Sequence, residues 1–107
     1  MVLLMITTWF PPEREEEVNE IYLGLPAKYP VDESLGKALV PLGGRSTKEG
    51  TKSIIVFEVA KGKFDEAMEL TLKNLREFRH IEGYRYEVET LLSQAEAMNL
   101  IGVAIPA

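Results

Sequence analysis

Two short segments constrain this chain more than any others. Residues 2–6 (VLLMI) and 54–57 (IIVF) are apolar at every position. Successive side chains of a strand point to opposite faces, so each segment reads as a strand buried on both sides. Any fold for the chain must cover both faces of these strands.

Little material is available for that cover. The chain has 107 residues, enough for one core and too few for two. Its first strand spans residues 2–10 (VLLMITTWF) and stops at Pro11-Pro12. A helix should follow. Pro12 suits its first turn, Glu13, Glu15, Glu16 and Glu17 complement the positive end of its dipole, and Val18, Ile21, Tyr22 and Leu25 form one narrow apolar face. Gly24 and Pro26 are expected to end it. Residues 26–37 (PAKYPVDESLGK) form a long connection containing Tyr29. Such loops either carry binding residues or are plain surface loops, here with one helical turn.

Residues 38–42 read as a second strand, and Pro41, which cannot donate to a ladder, places it at a sheet edge. Gly43-Gly44 and Gly50 bracket a polar loop, and residues 53–59 form the third strand, so strands two and three make a hairpin with a long tip. After the turn Lys61-Gly62-Lys63, helical spacing predicts a second helix over residues 64–78. Asp65 and Glu66 suit its start, Arg76 and Arg79 its end, and Glu69 and Lys73 are an i,i+4 pair. Gly83 stops it. In the fourth strand, residues 84–90, Tyr84, Tyr86 and Val88 face one way and Arg85, Glu87 and Glu89 the other. Ser93-Gln94-Ala95-Glu96 is a capping box for a short last helix to about Ile101. The apolar tail, residues 103–107, is expected to pack on the sheet or on a neighbour.

The order strand, helix, strand, strand, helix, strand is the split βαβ, ferredoxin-like arrangement, an α+β fold with a four-stranded antiparallel sheet. Each helix is expected to cross between parallel neighbours, and right-handed crossovers put both on one face. Strands one and three are then central, strands two and four edges. Two helices shield one face only. Leaving several hundred Å2 of apolar surface wet would forgo on the order of several kcal/mol, and monomers rarely expose so large a patch. A homodimer, or a larger homo-oligomer, with two sheets packed face to face is therefore expected. The competing arrangement, cover by the last helix and the tail, asks a helix of about ten residues to span four strands.

With these elements the whole of residues 1–107 resembles, as a single domain, the dimeric α/β-barrel superfamily of small ferredoxin-like proteins. Element order, length and the two-faced central strands carry the resemblance. Its members include cofactor-independent quinol-type monooxygenases, muconolactone isomerase, haem-degrading enzymes and stress-responsive barrels. The resemblance implies a pocket between sheet and helices in each subunit. No catalytic motif selects a branch, and one fold hosts many functions.

The candidate chemistry gathers in two places. Residues 76–86 (REFRHIEGYRY) hold the single histidine, His80, with Arg79, Tyr84 and Tyr86. There His80 would act as acid or base, Arg79 as a charge clamp, and the tyrosines as pocket walls for a small aromatic or anionic ligand. The same residues are also ordinary at a helix C-terminus and in a strand. Trp9, preceded by Thr7 and Thr8, would line a pocket from a central strand, and Tyr22 from the first helix; both also suit a core. Glu58, inside a central strand, would be a base if buried and is otherwise a paired or solvated carboxylate.

Several classes are disfavoured. Twelve Lys+Arg against 17 Asp+Glu give a net charge of −5, which argues against bulk nucleic-acid binding. Residues 43–48 (GGRSTK) lack phosphate-loop spacing and join two strands. The third strand lacks the surface aromatics of an RNA-recognition sheet. With no cysteine and one histidine, no metal site is expected, and no cofactor. No apolar run approaches the roughly 20 residues of a membrane span, and no leader is evident. A cytoplasmic location is expected.

Overall fold

The computed structural model describes residues 2–48 and 50–102. The first strand, β1 (Val2–Phe10), leads through a 3-10 turn (Pro12–Arg14) into α1 (Glu15–Lys28). A second 3-10 turn (Glu33–Leu35) precedes β2 (Gly36–Thr47), which pairs with β3 (Gly50–Val59). Then come α2 (Phe64–Arg76), β4 (Arg85–Leu92) and α3 (Gln94–Leu100). The sheet runs β2-β3-β1-β4, with every neighbouring pair antiparallel. The two strands with uninterrupted apolar runs are central, as their composition requires. Each helix joins strands of the same direction, but these are not neighbours: β3 lies between β1 and β2, and β1 between β3 and β4.

Several local expectations are corrected. α1 continues past Gly24 and Pro26 to Lys28. A proline near a helix end forfeits only its own amide bond, and the helix is closed three residues later by the Tyr29 amide donating to the Leu25 carbonyl at 2.7 Å. Most of the polar loop expected at the β2–β3 tip is strand instead. β2 runs through Gly43-Gly44 to Thr47, which pairs with Gly50. Register shifts between Ala38 and Val40 and between Val40 and Gly43 absorb Pro41 in the edge strand. Gly50 has φ +121, and a Cβ there would lie 2.6 Å from the Phe10 carbonyl oxygen, so the hairpin can pass this close to β1 only with glycine. α2 gives way to turns after Arg76, although Phe78 is still buried. β4 occupies Arg85–Leu92, one residue later at its start and two at its end than expected. The α3 capping box is present, with the Ser93 hydroxyl accepting from the Glu96 amide at 3.2 Å. The tail, residues 103–107, lies outside the described residues.

The alternation of β1 divides the sheet into two unlike faces. Leu4, Ile6, Thr8 and Phe10 point toward the helices and are all buried. There Leu4, Ile6, Leu35, Val59, Ala67 and Leu75 form one cluster, and Phe10, Val18, Phe78 and Ile81 a second. The opposite face is a grid of four cross-strand rows: Arg45–Lys52–Trp9–Arg85, Gly43–Ile54–Thr7–Glu87, Val40–Val56–Met5–Glu89 and Lys37–Glu58–Leu3–Leu91. Val40 is 40% and Leu91 37% exposed; Leu3, Met5, Ile54 and Val56 are half-buried. α3 buries none of its residues. Among the described residues no helix is long and apolar enough to cross a membrane.

Candidate functional site

The covered face of the sheet and the two long helices do not close on each other. Between them lies a cavity of about 450 Å3. Ile6, Thr8 and Phe10 of β1, with Ser53, Ile55 and Phe57 of β3, form its floor. α1 contributes Tyr22 and Leu25, α2 contributes Leu70, Thr71 and Asn74, and the loop after α1 brings Tyr29, Val31 and Asp32 to the rim. α1 packs loosely over the floor: Val18 is its one buried residue, with Ile21 and Leu25 half-buried against the Phe10–Phe78 cluster.

Polar groups on the cavity floor are few and close together. Thr8 and Ser53 share a hydrogen bond between their hydroxyls. Tyr84 closes that end; its ring lies 4.7 Å from the Phe78 ring, with planes 7° from parallel, and 6.1 Å from that of Phe10. Burial pushes the Tyr84 hydroxyl up to about 12, against a smaller downward pull from Thr8. Tyr84 is therefore a proton-bearing donor at neutral pH and not a base.

A second feature ties the two helices together beside the cavity. Glu77, just past α2, accepts from the Tyr29 hydroxyl at 2.9 Å and pairs with Lys28 Nζ at 2.6 Å. Lys28 above all, and then the Tyr29 hydroxyl, hold the Glu77 carboxyl below the usual carboxylate range. At the rim, the Ser34 hydroxyl and amide donate to Asp32 at 2.6 and 3.0 Å, keeping that carboxyl low as well.

The structure scatters the residues singled out from the sequence. Tyr22 and Tyr84 line the cavity. Tyr86 pairs with Thr8 across β1 and β4 and so shares its face, but it is 46% exposed and outside the lining. Arg79 and His80 are exposed in the turns after α2, also outside the lining. Trp9 and Glu58 lie on the opposite face, Glu58 in register with Lys37. Thr7 and Thr8, adjacent in sequence, are split between the faces, and only Thr8 reaches the cavity. Ser53 and Tyr29 complete the site. Strand alternation identifies Ser53 as sharing a face with Ile55, but its partnership with Thr8 follows from register alone.

No family model matches the chain, and no curated protein matches it by sequence. Solved structures do match. A Deinococcus radiodurans protein assigned as an antibiotic biosynthesis monooxygenase superposes with a TM-score of 0.57 at 9% identity, over 87% of this chain and 92% of that one. A dimeric ferredoxin-like protein from an uncultured marine organism gives 0.54 at 14%, over 87% and 94%. The de novo designed protein Foldit4 gives 0.51 at 14%, over 87% and 97%. A designed chain matches alongside natural ones, so the likeness speaks for architecture and not for chemistry. On strand order, antiparallel pairing and these superpositions, the chain has the ferredoxin-like fold.

Proposed function

We propose that this protein is a homodimer that takes a small, largely apolar ligand into the cavity between sheet and helices, and acts on it as a cofactor-independent enzyme of monooxygenase or isomerase type. The cavity carries this reading: its walls are mostly aliphatic and aromatic, and Thr8, Ser53 and Tyr84 put hydroxyls at one end of it. Such a site suits an aromatic ligand with one oxygen to orient. The reaction class in this reading is the one assigned to the Deinococcus radiodurans protein that shares the architecture. Without a cofactor, a monooxygenase draws both electrons from its substrate (SH2 + O2 → SO + H2O), which favours an electron-rich ring. Tyr22 and Tyr84 are the ligand-binding residues in this reading. His80, Arg79 and Tyr86 lie outside the lining; a role for His80 and Arg79 requires the turns after α2 to move, and Tyr86 is fixed in β4 beside Thr8.

The homodimer rests on the open face. Leu3, Met5, Val40, Ile54, Val56 and Leu91 form a contiguous apolar surface that a second sheet would bury. That one structural neighbour is described as dimeric supports the same arrangement. A cytoplasmic setting belongs to this reading.

A non-catalytic ligand-binding dimer is the second reading, favoured because the hydroxyls of Thr8, Ser53 and Tyr84 at the cavity floor supply no base near neutrality. One experiment addresses both. The protein is titrated with 1-naphthol, an aromatic ring with one hydroxyl, and oxygen uptake is followed in the same samples. Binding weakened several-fold by Tyr84→Phe and Thr8→Val supports the cavity; oxygen uptake lost in the same variants makes the protein an enzyme. Binding unchanged in both variants would remove the cavity from consideration. A native mass near 12.0 kDa, that of one chain, would remove the dimer.

A further inference from the structure

The outermost row of the open face crosses all four strands as Arg45, Lys52, Trp9 and Arg85. Lys52 Nζ lies 5.9 Å from the Trp9 ring centroid, and the guanidinium carbon of Arg85 lies 6.0 Å from it. Lys48 adds a fourth cation after β2. With Ser46 and Thr47, the side chains of Trp9, Arg45, Lys48 and Lys52 line a shallow groove of about 550 Å3.

This arrangement is unfavourable as it stands. Arg45 and Lys52 are direct cross-strand partners, and like charges in that position destabilise a sheet. None of the four cations forms an ion pair with a carboxylate among the described residues. Yet the chain carries 17 acidic residues and a net charge of −5, so its composition had carboxylates to spare. Like charges left without a carboxylate partner among the described residues mark a place where an anion from outside supplies one.

We propose that this row binds a small, multiply charged anion bearing phosphate or several carboxylates. The Arg45 guanidinium offers a planar fork of donors and Lys52 a point charge, while Trp9 backs the groove and draws both flanking cations over its ring. The site is on the opposite side of the sheet from the apolar cavity and stands independently of any ligand there. It occupies the end of the open face, at the rim of the surface that a second sheet would bury.

Trp9 is the single tryptophan of the chain, so its emission reports this site directly. The experiment titrates inorganic pyrophosphate, and citrate in parallel, into the purified full chain at constant ionic strength. Native mass is recorded at the same protein concentration. The expected result is a saturable change in Trp9 emission whose midpoint rises at least tenfold in Lys52→Gln and in Arg45→Gln, and stays put in Lys37→Gln at the far end of the face. The anion that binds more tightly identifies the recognised group. Emission that does not saturate, or equal midpoints in all variants, overturns the proposal. So does the case in which the cations serve the partner subunit's carboxylates: the two variants then lower the dimer fraction and neither anion moves the emission.

Discussion

Leu4 and Met5 are adjacent in β1, similar in size and apolar, yet they occupy different environments. Leu4 is 0% exposed, packed with Ile6, Val59 and Ala67 under the helices. Met5 is half-buried on the opposite face, flanked by Val56 and Glu89. The same contrast separates Thr8, bonded to Ser53 on the cavity floor, from Trp9, held between Lys52 and Arg85. Burial here follows from what lies above each face more than from the hydrophobicity of the residue. The covered face carries the internal stability of the subunit. The open face is the one that the proposed homodimer would use.

The sharpest way to break this comparison is a matched pair of truncations. Leu4→Ala should lower the unfolding free energy by about 3 kcal/mol, in the usual range for a buried Leu in a packed core. Met5→Ala should cost about 1 kcal/mol or less in the isolated subunit, and more as protein concentration rises, because association adds to apparent stability. Urea denaturation at two widely separated protein concentrations measures both. Equal, concentration-independent losses would mean that the two faces are equivalent and the open face has no partner.

A further variant sharpens the comparison. Val56→Asp places a charge at the centre of the open grid and should convert a native mass of two chains to one while far-UV circular dichroism stays unchanged. A covered-face substitution of the same kind, Ile55→Asp, should instead unfold the subunit. Ser93→Ala removes the α3 cap and should cost about 1 kcal/mol. Amide exchange should show that loss confined to α3, which buries none of its residues.

The smallest effect concerns acid. Glu77 in the folded state lies below its ordinary carboxylate value, chiefly through Lys28 and then Tyr29. A lowered folded pKa means that the stabilisation is present above the unfolded value and is lost as pH falls through the folded one. The tie between α1 and α2 should therefore weaken on the acid side of about pH 4.5. Glu77→Gln should flatten that part of the stability profile. An unchanged acid limb in the variant would show that the pair contributes nothing measurable, the common result for exposed ion pairs.

Much of the architecture was legible from local pattern. Residues 2–6 and 54–57 identified the central strands because a residue's face alternates along a strand whatever its partners. Pro41 identified an edge because a missing amide matters to any ladder. The errors arose where local signals meet long-range pairing. Gly43-Gly44 looks like a loop, but β3 holds it in a ladder. Pro26 looks like a stop, but it falls so near the helix end that only one bond is lost. His80 and Arg79 stood out by type in an acidic chain, yet residue type carries no information about which way a turn points.

From its sequence alone this chain is committed to four strands, two long helices and one sheet face in need of cover, because hydrophobic periodicity and chain punctuation are local properties. Which hydroxyls meet was decided only by the folded structure. Thr8 and Ser53 are 45 residues apart and come together through the β1–β3 register. The basic row around Trp9 has the same origin, assembled from four strands whose order no single segment encodes. Strand register is a collective outcome of pairing and packing, and the sites of this protein are written in it.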